Sequence, residues 1–243
     1  VGFGDIWIAE GARTSRFTFD PADDRYAIWS PDGARVVFSS RRKGSLDLYE
    51  KPANASGSEE LLLQSDETKV PNSWSSDGRF ILYWSSRDNG DLMVLPLSGD
   101  RKPFPFLSTA FTETQGAFSP DGKWVAYQSS ESGRYEIYVR PFPGPGGRWQ
   151  ISAGGGVSPR WRADGKELYY LAPDAKLVGA PVAARGAVFS PGTPDPLFQT
   201  HIAAGVFKPQ YDVARDGRFL INTDLETASP EPIHLLLNWK PPR

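Results

Sequence analysis

Six carboxylates, Asp20, Asp23, Asp24, Asp66, Glu67 and Glu113, lie in polar stretches that each lead into a short run of strand-forming residues. Carboxylates working in pairs can protonate and attack a glycosidic bond, so this set admits a glycosidase-like hydrolase. Arg25, Lys69, Arg160 and Lys208 alternate with those acids along the chain. A surface of such mixed charge suits a polar peptide, a sugar or a protein face better than a single anion. The same residues would also serve as solvated turns and as ion pairs of small net worth. The two histidines, His201 and His234, stand apart from each other and from other ligand types, which makes no zinc site. His201, in a connecting segment, reads either as a solvated loop residue or as a contact that titrates near neutral pH.

Other chemistries are narrowed by what the chain lacks. It has no cysteine, so thiol nucleophiles, thiolate metal sites and disulfides are out. A serine hydrolase needs its nucleophile on a G-x-S-x-G elbow. Gly156-Val157-Ser158-Pro159-Arg160 comes nearest and lacks the last glycine. Calcium loops of the D-x-D-x-D-G type are absent. The set expected to bind a ligand is therefore Asp24, Lys69, Glu113, Arg160 and His201, with no catalytic residue, cofactor or metal expected.

The elements that must position these residues are set by a repeat. WSPDG (29–33), WSSDG (74–78), FSPDG (118–122), WRADG (161–165) and VARDG (213–217) place Asp32, Asp77, Asp121, Asp164 and Asp216 at intervals of 45, 44, 43 and 52 residues. The Asp-Gly pair suits a tight turn, because Asp accepts local backbone hydrogen bonds and Gly tolerates positive φ. Apolar runs follow each turn: VVF, ILYW and WVAY. They read as strands covered on both faces. A period of about 40–45 residues with hairpin turns is the signature of a β-propeller. The expected fold is all-β, with four-stranded antiparallel blades in a single domain over residues 1–243. Repeats fall at about 26–64, 70–108, 115–152 and 157–200, with a partial blade at 1–20 and a closing partial blade at 211–240. Ile233–Trp239 (IHLLLNW) reads as a third strand of that last blade. Closing the ring leaves either it or Asp5–Ala9 surplus. Five or six blades are thus open, and the count favours a six-bladed parent whose first strands are missing.

Bulk properties agree with a binding protein of modest charge. The formal net charge of −2, from 27 basic and 29 acidic residues, gives no footprint for nucleic acid. No apolar stretch reaches the length of a membrane span, and Val1–Ile8 does not have the makeup of a signal peptide. Lack of cysteine leans slightly towards an oxidising, extracytoplasmic setting. Phe104, Phe106, Phe142 and Trp149 fall among prolines in outer connections and are expected to pack over blade edges.

The turns, together with the corners Ser39-Ser40-Arg41 to Gly44, Ser85-Ser86-Arg87 to Gly90 and Ser129-Ser130-Glu131 to Gly133, resemble the WD-like repeats of the TolB β-propeller family from Asp5 to Trp239. A narrower likeness, carried by Arg101–Ser152 and by LLLNW, is to bacterial propellers that follow a serine/threonine kinase domain. No kinase motif occurs in this chain itself. The resemblance implies a monomeric, non-catalytic module that recognises a protein, peptide or glycan at the cell envelope, in the periplasm or beyond the cytoplasm, and the narrower likeness implies the sensor region of a kinase. The alternatives are the glycosidase-like hydrolase and the gating propeller of a serine peptidase whose catalytic domain lies elsewhere.

Overall fold

The computed structural model describes residues 4–186, 188–202 and 210–222. The expected strand at Ile233–Trp239, His234 and Lys208 lie outside the described residues. Those described form strands and turns, with no helix among them. Strands β1 (Trp7–Glu10) and β2 (Arg13–Arg16) make a two-stranded sheet. The first full blade is β3 (Asp24–Trp29), β4 (Arg35–Lys43), β5 (Ser45–Pro52) and β6 (Glu60–Leu63), paired antiparallel in that order. The second is β7 (Lys69–Trp74), β8 (Phe80–Ser85), β9 (Asp91–Pro96) and β10 (Phe104–Leu107). The third is β11 (Glu113–Phe118), β12 (Trp124–Ser129), β13 (Glu136–Pro141) and β14 (Trp149–Gln150).

The fourth blade departs from the pattern. β15 (Val157–Trp161) and β16 (Glu167–Leu171) are followed by β17 (Lys176–Arg185), which is long enough to pair twice. Its first half pairs with β19 (Asp195–Gln199), and its second half with β18 (Val188–Pro191). This extra hairpin accounts for the longer interval between Asp164 and Asp216. A last two-stranded sheet holds β20 (Tyr211–Val213) and β21 (Phe219–Ile221). The molecule is a β-propeller.

Turn chemistry explains why each blade starts as it does. In the first three blades a serine precedes the turn and its hydroxyl works in two directions. Ser30 Oγ accepts from the Arg35 N–H (2.9 Å) and donates to Asp32 Oδ1 (2.5 Å), which also accepts from the Ala34 N–H (3.0 Å). Ser75–Asp77 and Ser119–Asp121 repeat this relay. The hairpin's loose donors are thereby satisfied locally, and Gly33, Gly78 and Gly122 close the turn at φ near +70°. In the fourth blade Arg162 takes the serine's place and grips Asp164 with its guanidinium (2.7 Å).

The core is distributed, not central. Five buried clusters each join neighbouring sheets: Val37 and Leu48 meet Trp74, Ile81 and Leu95; Leu82 and Val94 meet Phe118, Val125 and Tyr127; Trp124 and Ile137 meet Leu168 and Val178. The outermost pairings are Phe17 against Phe38 at one end and Tyr169 against Tyr211 and Phe219 at the other. Blades stacked face to face in this way bury both sides of each inner sheet, which is why their strands read as apolar runs. Phe104, Phe106 and Phe142 pack on the seam between second and third blades, with Phe118 and Phe142 edge to face at 4.9 Å.

Candidate functional site

The first strands of successive sheets, β3, β7, β11, β15 and β20, are neighbours in sequence order. All five border one open cavity of about 1050 Å³. The two ends of the described chain meet there, where the Arg215 guanidinium donates to the Pro31 carbonyl oxygen at 3.3 Å. The buried Tyr211 hydroxyl ties β20 to the neighbouring β15 by donating to the Ser158 carbonyl at 2.7 Å.

Each inner strand of the four blades carries a bulge. The pairing register breaks between Arg25 and Ile28, Pro71 and Ser73, Thr114 and Ala117, and Val157 and Arg160. Tyr26, Gln115 and Ser158 occupy equivalent positions and have φ of 57°, 57° and 58°. The second blade has Pro71 there, whose ring forbids positive φ. This settles the meaning of the Gly156–Arg160 stretch. Ser158 shares its strained backbone with Tyr26 and Gln115, sits inside strand β15, and is buried. Its conformation is the bulge common to these strands, not a strand-to-helix nucleophile elbow.

The five residues expected to bind a ligand are not brought together. Asp24, Lys69 and Glu113 begin the inner strands β3, β7 and β11, and lie opposite Ser40, Ser85 and Ser129 in the pairing register. All three are at least 98% buried in seams between sheets. Lys69 Nζ donates to Asp47 Oδ1 at 2.8 Å and to the Glu67 and Ser65 carbonyls at 2.6 and 3.1 Å. Asp24 faces Arg42 at 3.3 Å, and burial pushes its carboxyl upward against the pull of Ser40 and that guanidinium. Glu113 accepts from Thr109 Oγ1 at 2.6 Å; burial raises it, and neighbouring Asp91 raises it further. Lys69 and Glu113 do not border the cavity, whereas Arg160 does. His201 is exposed and lies off the cavity wall.

The cavity wall holds groups that the sequence did not single out. Trp29 and Leu220 are half exposed there, beside Tyr26, Asn72, Asp212 and Arg215. Trp74 and Phe118, the counterparts of Trp29, are buried between blades. Among the described residues three carboxylates reach the wall, each with a guanidinium within ion-pair distance: Asp5 with Arg16 (2.8 Å), Asp24 with Arg42 (3.3 Å), which also pairs with Asp20 and Glu59, and Asp212 with Arg160 (3.7 Å). Pairs of this sort give the wall a mixed pattern of charge, and among the described residues every wall carboxylate has a guanidinium beside it. Among the described residues no group of three or more Asp, Glu, His or Cys side chains is placed to hold a metal. No helix among them is long and apolar enough to cross a membrane.

No family model matches the chain. Individual proteins do. The Tol-Pal system protein TolB of Anaeromyxobacter dehalogenans is 28% identical over 159 residues, covering 63% of this chain and 36% of that protein. The crystal structure of TolB from Acinetobacter baumannii superposes with a TM-score of 0.68 over 89% of this chain and 52% of that one, at 18% identity. The chain is a β-propeller similar to TolB. It spans about half or less of the length of the curated relatives it matches. A puromycin-hydrolysing peptidase of Mycobacterium tuberculosis contains a similar fold, with a TM-score of 0.61 at 16% identity over 88% of this chain and 39% of the peptidase. Identities this low speak to architecture alone, so the activity of the TolB-like propeller has to be argued from its own cavity.

Proposed function

We propose that this TolB-like propeller is a non-catalytic binding module that receives an extended segment of a partner protein in the mouth of its central cavity, outside the bacterial cytoplasm. The observation that carries this reading is the wall itself. Exposed Trp29 and Leu220 offer apolar anchorage, and the Asp212–Arg160 pair with Asn72 offers polar groups at fixed positions. Interfaces draw most of their affinity from a few such aromatic and arginine side chains, ringed by polar contacts. Five rigid strands hold them, so little ordering is needed on binding. A relative named for the Tol-Pal system, and a chain free of cysteine, support the extracytoplasmic setting. A sensor region behind a serine/threonine kinase is a narrower form of the same reading, supported by the Arg101–Ser152 run. The upstream reading frame decides that part.

The test uses peptides selected against the wild-type chain from a display library. Replacing Trp29, Arg160 and Asp212 together by alanine is expected to weaken their binding at least about tenfold, the effect of losing one aromatic anchor. The melting temperature should stay nearly constant, since Trp29 is half exposed, Asp212 is largely exposed, and an ion pair as open as Arg160–Asp212 contributes little. Undiminished binding by the triple variant removes the cavity as the site. Cleavage of the bound peptides by the chain would favour a hydrolase instead.

A further inference from the structure

Each of the first three blades carries an acid at or near the start of its third strand, Asp47, Asp91 or Glu136, buried at the seam with the next blade. A carboxylate so placed needs a cation or several donors. At the first seam Lys69 supplies an ammonium, which sits between Asp47 Oδ1 and the carbonyls of Ser65 and Glu67. At the third seam Gly156 stands where Lys69 would, and Glu136 is satisfied by the Gly155 N–H (2.9 Å) and the Ser152 hydroxyl.

The second seam is different in kind. The place of Lys69 is taken by Glu113, a second acid. Among the described residues Asp91 accepts from Ser108 Oγ (3.0 Å), while Glu113 accepts from Thr109 Oγ1 (2.6 Å) and Ser129 Oγ (3.4 Å). Asp91 Oδ1 and Glu113 Oε2 are buried with no hydrogen-bond partner. Among the described residues neither acid has a Lys or Arg within ion-pair distance. The nearby Glu131 is already held by Arg148. Two carboxylates therefore share a buried seam in which the adjoining repeat keeps a positive charge, and leaving both charged and uncompensated is costly.

We propose that this seam binds one divalent cation of the calcium type, taken up by Asp91 and Glu113. The carbonyls of Thr109 and Phe111 would complete the oxygen set, since they stand four and two positions before Glu113, as Ser65 and Glu67 stand before Lys69. A free cation replaces the tethered ammonium. Two carboxylates match a double positive charge, and an all-oxygen set of irregular shape suits calcium better than magnesium, which demands a near-ideal octahedron. Binding here would lock the second blade to the third.

Thermal melting of the whole chain near neutral pH, with calcium or with a chelator, tests this. Calcium is expected to raise the wild-type midpoint by about 5 °C and magnesium by much less, the shift that mass-action stabilisation gives a chain of this size. Glu113→Lys, which copies the first seam, should melt in chelator as high as the calcium-loaded wild type and ignore added calcium. If that variant does not fold, Glu113→Gln decides by calorimetry: wild type takes up one calcium ion per chain that the variant does not. A wild-type midpoint unmoved by calcium overturns the proposal, as does an equal response in Glu113→Gln. Stabilisation by mild acid in place of calcium overturns it too, because the two carboxylates would then be sharing a proton.

Discussion

Lys69 shows how burial changes the worth of a charge. Its ammonium and the Asp47 carboxylate are both about 99% buried, and they meet at 2.8 Å. By contrast, the turn pairs Arg79–Asp77 and Arg218–Asp216 are about half exposed, and such pairs contribute at most about 1 kcal/mol. Removing one member of the buried pair leaves the other charged and unmatched. Lys69→Met is therefore expected to cost about 3–5 kcal/mol of folding stability, read from urea denaturation. Arg79→Met should change it by less than about 1 kcal/mol. At this scale the sequence was only half legible. Acids at or near the start of the third strands were visible as a recurring pattern, but Lys69 is 22 residues from Asp47 and belongs to the next repeat. A reading confined to one repeat places Lys69 on an open rim. Only the stacking of blades turns it inward.

Among the strands, the second and third blades approach closely at one glycine. Gly116 in β11 faces the second blade so nearly that a Cβ there would stand 2.4 Å from Leu82 Cδ2 and 3.3 Å from Leu92 Cδ2. Both leucines are fully buried. Gly116→Ala should accordingly destabilise by about 1–3 kcal/mol through overpacking, measurable as a lowered urea midpoint with unchanged slope. Strands and turns were legible from the sequence, because the Asp-Gly turns and the β-branched and aromatic runs that follow them are local signals. Hairpin β17–β18 was not. Its alanine-rich segment, Val182–Arg185, has neither the alternation nor the residue types of the other strands, and it pairs only as an overhang of β17. The bulges were hidden too, since Tyr26, Gln115 and Ser158 have nothing in common but position.

For the whole molecule, stability is spread over the seams between sheets, and the innermost strands are left to border the cavity. That division separates the residues that hold the propeller together from those free to meet a partner. Asp24, Lys69 and Glu113 fall on the first side, Trp29, Arg160, Asp212 and Leu220 on the second. The repeat period revealed the architecture. Which side chains face the cavity depends on the bulge, which shifts the register within each inner strand, so of its candidate charges the sequence placed only Arg25, Arg160 and the seam-bound Asp24 on the wall. The central claim is that recognition happens inside the ring of inner strands. Its most direct test is a crystal structure of the chain with a display-selected peptide bound. The account predicts peptide density in the central cavity, against Trp29 and the Asp212–Arg160 pair; a peptide paired along an outer strand such as β6, β10 or β14, with the cavity unoccupied, would contradict it.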